Sequence, residues 1–122
     1  MLSEKAKNSK VLYLTTKGRR TGKPHTVEIW FAYENGVLYL SHEGNHTDWM
    51  RNLVKNNEVT LKIANEQLIG KARILTDATQ KNQAKKALYF KYYGPASDAV
   101  LEDWFELSVL LEVRPNGEET GS

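Results

Sequence analysis

The sequence predicts a mainly β (α+β) domain: six antiparallel strands closed into a small barrel, with two or three flanking helices. Three observations carry this expectation. Apolar and β-branched residues recur with period two in several short runs. Asn35-Gly36, the strongest short hairpin signal, joins two of those runs. The strands come in hairpin-like pairs with helical stretches between the pairs, and antiparallel pairing needs only short turns where parallel pairing would need a crossover at every step. A length of 122 residues fits one domain, here taken as 1–122 with its two ends peripheral.

The elements follow in order. Residues 3–9 read as a short polar helix. Val11 to Thr16 is a β-branched and aromatic strand, ended by the Gly- and Pro-punctuated loop Lys17–Pro24. Val27, Ile29, Phe31 and Tyr33 alternate with Thr26, Glu28, Trp30 and Ala32, which reads as one strand with large apolar groups on both faces. After Asn35-Gly36, Val37 to Ser41 returns as its partner. His42 to His46 is a loop. Thr47 caps a helix with Trp49, Met50, Leu53 and Val54 on its apolar face, and Asn56-Asn57 closes it. Val59, Leu61 and Ile63 alternate in a strand, a turn falls near Asn65-Glu66, and Leu68 to Leu75 is the next strand. Thr79 to Tyr93 has helical composition: Ala84, Ala87, Leu88 and Lys91 share one stripe, Tyr89 and Tyr93 the next, and Gly94-Pro95 stops it. A short helix over 97–103 precedes a last strand in which Phe105, Leu107, Val109, Leu111 and Val113 alternate up to Pro115.

Composition excludes several classes of chemistry. With no cysteine there is no disulfide framework, thiolate metal site or Cys nucleophile. Apolar residues at 40% and charged residues at 26% suit a folded globule rather than a disordered chain. No run approaches the ~20 apolar residues of a membrane helix. The first residues lack the apolar core of a signal peptide. The expectation is a cytoplasmic protein without an integral membrane segment. Net charge is only +2, but residues 5–27 carry seven Lys/Arg and no acid, while the chain from Glu28 onward has ten basic and fourteen acidic residues. Such asymmetry suggests an anionic partner.

The loop from Lys17 to Lys23 is the sharpest feature. Lys17, Arg19, Arg20 and Lys23 flank Gly18 and Gly22 between two strands. Glycine lets the backbone approach a ligand and turn its N–H groups into an anion nest, and arginine adds bidentate phosphate recognition. A solvated basic hairpin is the competing reading. Ser41 to His46 lies between a strand end and a helix start, where backbone N–H groups bind anions or a planar heterocycle. His42 and His46 have metal-ligand spacing only on a helix, which Gly44-Asn45 argues against, so no metal is expected. Asp48-Trp49 fits a helix start, and Arg51 and Asn52 are either solvated or part of a site. No nucleophile constellation is present. Tyr89, Phe90, Tyr92 and Tyr93 form an aromatic cluster that either packs the core or a subunit contact, or roofs a flat ligand.

The stretch Leu14-Thr15-Thr16-x-Gly18-Arg19-Arg20-Thr21-Gly22-Lys23-Pro24, the Asn35-Gly36 hairpin, and Asp48-Trp49-x-x-Asn52-Leu53-x-x-Asn56-x-x-Val59 together resemble the deazaflavin (F420)-dependent nitroreductase family. These are split β-barrel flavin and deazaflavin oxidoreductases related to the pyridoxamine phosphate oxidase-like proteins. The resemblance covers roughly residues 10–114. It implies that Lys17, Gly18, Arg19, Arg20, Thr21, Gly22, Lys23 and His25 hold the anionic tail of F420. It implies further that Ser41, His42 and Gly44 border the ring, that Asp48, Trp49 and Asn52 shape the pocket, and that Trp30, Tyr89, Tyr92 and Tyr93 face substrate. The chain departs from the family at His25, Glu28 and His42, where the family more often has Arg, Pro and Lys.

The implied activity is hydride transfer from reduced deazaflavin to a flat, electron-poor quinone or nitro compound, with no protein nucleophile. The alternatives are an FMN-binding oxidoreductase of the same fold and a non-catalytic flavin or tetrapyrrole carrier. A nucleic-acid binder is the weakest alternative, because the aromatics are not interleaved with the cations. A homodimer is expected, because Trp30 and Tyr39 look poorly covered by a lone barrel.

Overall fold

A computed structural model describes residues 2–17, 23–43, 53, 56–95, 97, 100 and 108–116. The elements are α1 (Glu4–Lys7), β1 (Leu12–Lys17), β2 (Pro24–Ile29), β3 (Phe31–Glu34), β4 (Val37–Glu43), β5 (Glu58–Ile63), β6 (Glu66–Ile74), α2 (Ala78–Tyr93) and β7 (Ser108–Pro115). All seven strands join one antiparallel sheet in the order β2-β1-β5-β6-β7-β4-β3.

The two edges of that order, β2 and β3, are consecutive in the chain and separated only by Trp30. One residue spans only ~3.3 Å, so the sheet must curl until its edges meet. Seven strands of alternating direction also leave β2 and β3 running the same way. They are two halves of one strand line that bends at Trp30, the first half pairing with β1 and the second with β4. The single strand expected over residues 26–33 is thus divided, and the described residues hold seven strands rather than six. The architecture is the expected split β-barrel.

The barrel interior collects one phase of every strand: Leu12 and Leu14, Ile29, Phe31, Leu38 and Leu40, Val59, Leu61 and Ile63, Ala72, Leu111 and Val113. Leu53 joins this core from the 44–55 segment; the rest of the helix expected there lies outside the described residues. From the N-terminus, Leu2 and Ala6 also enter the core. Ser3 caps α1 by accepting from the Ala6 N–H at 3.1 Å, and its own N–H and hydroxyl donate to the Glu66 carboxylate. Those two bonds hold the Glu66 carboxyl below its ordinary range.

The opposite phase of β3, β4 and β7 is buried too. Ala32, Val37, Tyr39 and Leu110 pack with Leu75 and with Ala84 and Leu88 of α2. Tyr39 is therefore covered within the chain, and the expectation that a second subunit must cover it is corrected: the Ala84–Leu88 stripe of α2 does so. Glu112 is buried in this layer and paired by Arg73 (Nη2 at 2.8 Å) and Arg114 (Nε at 3.3 Å). Arg73 also donates to Gln80 Oε1 of α2 at 3.1 Å, tying the helix to the sheet. The Asp77 side chain caps α2 through the Gln80 N–H, and Gly94 ends it with φ +90°.

Turns follow their chemistry. Asn35 and Gly36 (φ 53° and 79°) and Ala64 and Asn65 (φ 49° and 73°) adopt the paired positive angles that match hairpin twist. The second turn sits one residue earlier than Asn65-Glu66. Gly70 answers a different demand, since a Cβ there would lie 2.8 Å from the Arg114 carbonyl oxygen of β7. The expected helix over 97–103 and the strand positions Phe105 and Leu107 fall largely outside the described residues.

The bend at Trp30 is held from α2. The indole stacks on Tyr92 with centroids 4.3 Å apart and planes 21° apart. The Tyr92 hydroxyl accepts from the Phe31 N–H at 3.1 Å and donates to the Lys10 carbonyl at 2.5 Å, with the Phe31 carbonyl 3.0 Å away. Lys91 Nζ donates to the Ser9 carbonyl at 2.6 Å and stands 3.4 Å from the Phe31 ring centroid. Burial pushes the Lys91 ammonium down to about 8.

Tyr92→Phe should lower unfolding free energy by about 1–3 kcal/mol, since it strips a partner from the Phe31 N–H and the Lys10 carbonyl. Urea denaturation checks this, and an unchanged midpoint contradicts it. Lys91 carries a linkage prediction of definite sign. Its folded value lies below the unfolded value near 10.5, so the unfolded chain binds more protons between about pH 8 and 10, and wild-type stability rises there relative to Lys91→Met. Unfolding both proteins at pH 7.5 and pH 9.5 tests it; a constant difference between them refutes it.

Candidate functional site

The β1–β2 hairpin fixes where the basic loop begins and ends. Lys17 pairs with Pro24, so the chain leaves β1 and enters β2 at one tip of the hairpin. Lys23, Pro24, His25 and Thr26 are exposed. Thr15 and Thr26 bond through their hydroxyls at 2.8 Å on the outer face, which secures the register just below the loop. Gly18, Arg19, Arg20, Thr21 and Gly22 lie outside the described residues, as do Gly44, Asp48, Trp49 and Asn52.

Strand alternation places the other expected residues. Lys17 ends β1, Pro24 starts β2, Glu43 ends β4 and Glu58 starts β5. In an antiparallel sheet of this order, these four ends belong to the same end of their strands. The basic loop and the 44–57 connection therefore spring from one side of the barrel. Ser41, half-buried, pairs with Leu110, and the His42 backbone pairs with Val109. Asn56 Oδ1 accepts from the Glu58 N–H at 3.2 Å, fixing the entry to β5.

At the other end of β2, Trp30, Tyr92 and Tyr93 line one cleft of about 360 Å3 together with Asn8, Lys10 and Lys91. Tyr93 is tilted against Trp30 at 6.3 Å and against Tyr89 at 5.0 Å. Tyr89 lines an adjoining cleft of about 660 Å3 between α1, β3 and α2, with Tyr33, Ala87 and Phe90. The structure thus brings Trp30, Tyr92 and Tyr93 together and sets Tyr89 next door. The Tyr92 hydroxyl is committed to backbone groups, so its ring is what it offers the cleft. Burial pushes that hydroxyl above its ordinary value.

Lys91 belongs to both clefts, and nothing in the sequence reading gave it a site role. The available signal was its position on the apolar stripe with Ala84, Ala87 and Leu88, where a lysine is out of place. A third cleft of about 730 Å3 lies around Asn35, Lys71, Arg73, Glu112 and Arg114. Its Glu112 pairs with Arg73 and Arg114, and Arg73 also reaches Gln80 of α2. Among the described residues no cluster of His, Asp or Glu could hold a metal, and no helix is long and apolar enough to cross a membrane.

Solved structures share this fold. Rv2991, a conserved hypothetical protein from Mycobacterium tuberculosis, has 18% identity and a TM-score of 0.79 over 95% of this chain and 82% of its own. An F420 reductase has 22% identity and a TM-score of 0.65 over 96% of this chain and 97% of its own. An F420-H2 dependent reductase, FDR-A, has 21% identity and a TM-score of 0.68 over 86% of this chain and 94% of its own. At these identities the likeness shows the fold. No protein of curated function matches the chain. The profile of the F420H(2)-dependent quinone reductases matches residues 2–94, which include the basic loop, the Trp30 bend and all of α2. The chain therefore belongs to the F420H(2)-dependent quinone reductase family and is an F420-dependent reductase.

Proposed function

We propose that this reductase passes a hydride to a flat, electron-poor acceptor of the quinone or nitro-aromatic class, bound at the aromatic cleft around Trp30. One observation carries the reading. The edge strand β2 has the basic loop at its start and the stacked Trp30–Tyr92 pair just past its end. At ~3.3 Å per residue the two lie roughly 20 Å apart, a span suited to an elongated cofactor with an anionic tail and a planar head. The residues present fit such a group: Lys17, Lys23 and the loop arginines supply charge, and the aromatic walls supply a planar surface.

The reduced deazaflavin supplies the hydride. The chain's own residues bind and orient. Lys17, Gly18, Arg19, Arg20, Thr21, Gly22, Lys23 and His25 hold the tail. Ser41, His42 and Gly44 border the ring, and Asp48, Trp49 and Asn52 close the pocket around it. Trp30 and Tyr93 present aromatic surface to the acceptor, while Tyr92 holds the indole in place through its hydroxyl bonds.

We propose in addition that two copies pair. Tyr13 and Ile69, about half exposed, stand on the outer phase of β1 and β6, a face that no described helix covers, and Trp30 stays 39% exposed.

Arg19→Ala combined with Arg20→Ala should weaken F420 binding by tenfold or more, because each charge-assisted bond is worth roughly 1.5–3 kcal/mol before non-additivity. Fluorescence titration of the folded double variant measures it, and an unchanged affinity removes the loop from the site. Light scattering at micromolar concentration should report twice the 13.9 kDa chain mass; a single-chain mass with or without F420 refutes pairing.

A further inference from the structure

Lys91 is an anomaly in charge and place. Its stem follows the apolar stripe of α2, and its ammonium is half-buried against the Phe31 ring. No carboxylate lies within ion-pair distance of it among the described residues. The ammonium has three N–H bonds, and the Ser9 carbonyl takes one. A desolvated cation without a counter-ion is costly to keep, and such groups gather where a ligand supplies the missing charge. Lys91 also forms part of the wall shared by the two adjoining clefts, beside Tyr93 and the Trp30–Tyr92 stack.

We infer that Lys91 is the charge partner and proton donor for the oxygen of the acceptor that turns anionic when the acceptor is reduced. The inference rests on the function proposed above and deepens it. A quinone that accepts a hydride from the reduced deazaflavin becomes a hydroquinone monoanion. One Nζ–H bond of Lys91 then breaks as an O–H bond forms on the phenolate oxygen, which leaves neutral hydroquinone and a neutral amine. The amine regains its proton from water through the open side of the cleft. The same ammonium attracts the carbonyl oxygen before transfer, which orients the acceptor ring along the aromatic wall. The other charged groups around the two clefts are Lys10, Glu4 and Lys7 of the N-terminal segment, Glu34 of β3 and Lys86 of α2. None of these lies within bonding distance of Lys91 Nζ. With the ammonium titrating at about 8, the proton is present at neutral pH and lost above it.

The test uses the full chain, Lys91→Met, which keeps the apolar stem, and Lys91→Arg, which keeps a charge that does not titrate near neutrality. The first readout is binding of 2-hydroxynaphthoquinone, an anion at neutral pH, followed by quenching of tryptophan emission without any cofactor. Wild type should bind it at least tenfold more tightly at pH 7 than at pH 9.5. Lys91→Arg should hold its affinity across that range, and Lys91→Met should be weak at both values. The second readout is naphthoquinone reduction with F420H2. Wild-type kcat should fall as pH rises through about 8, and Lys91→Met should lose tenfold or more with a flat profile. A Lys91→Met protein that melts with wild-type cooperativity and keeps both wild-type profiles overturns the inference. If Lys91→Met does not fold, Lys91→Arg decides: a pH dependence of naphthoquinone binding identical to wild type overturns it. Failure of wild type to bind F420 would strike the cofactor reading alone and leave the cofactor-free titration to judge Lys91.

Discussion

One residue between two sheet edges governs this molecule. Because β2 and β3 are the opposite edges of the strand order and only Trp30 separates them, the sheet has no flat solution. Twist accumulated over the strands between has to return the second edge to the first. α2 braces this bend: the Tyr92 ring stacks on the indole, and its hydroxyl accepts from the Phe31 N–H just past it.

The curl then decides which residues need cover. Closing the barrel buries one phase of each strand, but β4 and β7 carry apolar groups in the other phase as well, and α2 answers for those. The helix is only weakly amphipathic, so local propensity does not dock it; Ala84 and Leu88 under Tyr39, together with the Arg73–Glu112–Arg114 cluster, fix its position. Docked in that way, its last turn delivers Lys91, Tyr92 and Tyr93 to the bend. Fold and cleft share one set of contacts.

Much of this was legible. The Asn35-Gly36 turn, the β1 strand and the limits of α2 follow from local chemistry that tertiary context leaves alone. The bend at Trp30 was not legible, for a specific reason. Val27, Ile29, Phe31 and Tyr33 keep the same interior phase on both sides of it, so the alternation runs unbroken while the hydrogen-bonding partner changes from β1 to β4. Periodicity reports which face is buried and is silent on which neighbour is paired. The basic loop stands out in the sequence because charge and glycine are properties of the residues themselves, and the structure adds that it joins β1 to β2 where Lys17 pairs with Pro24. The Glu112 cluster joins residues far apart in the chain and has no local signature. Tyr39 was misjudged because covering it depends on where α2 lands.

The place of β7 within the sheet has a consequence for how the chain comes to be folded. This last strand is interior, inserted between β6 and β4, with Leu38 pairing to Val113 and Ala72 pairing to the same residue from the other side. During synthesis the β3–β4 and β5–β6 hairpins complete early, since each is local. Until residues 108–115 leave the ribosome, β4 and β6 each present an unpaired backbone edge, and the apolar positions Leu38, Leu40 and Ala72 lack their partner strand. A nascent chain in that state is open to pairing with another like it. A ribosome that stalls before β7 would therefore release an adhesive intermediate rather than a slightly shortened barrel.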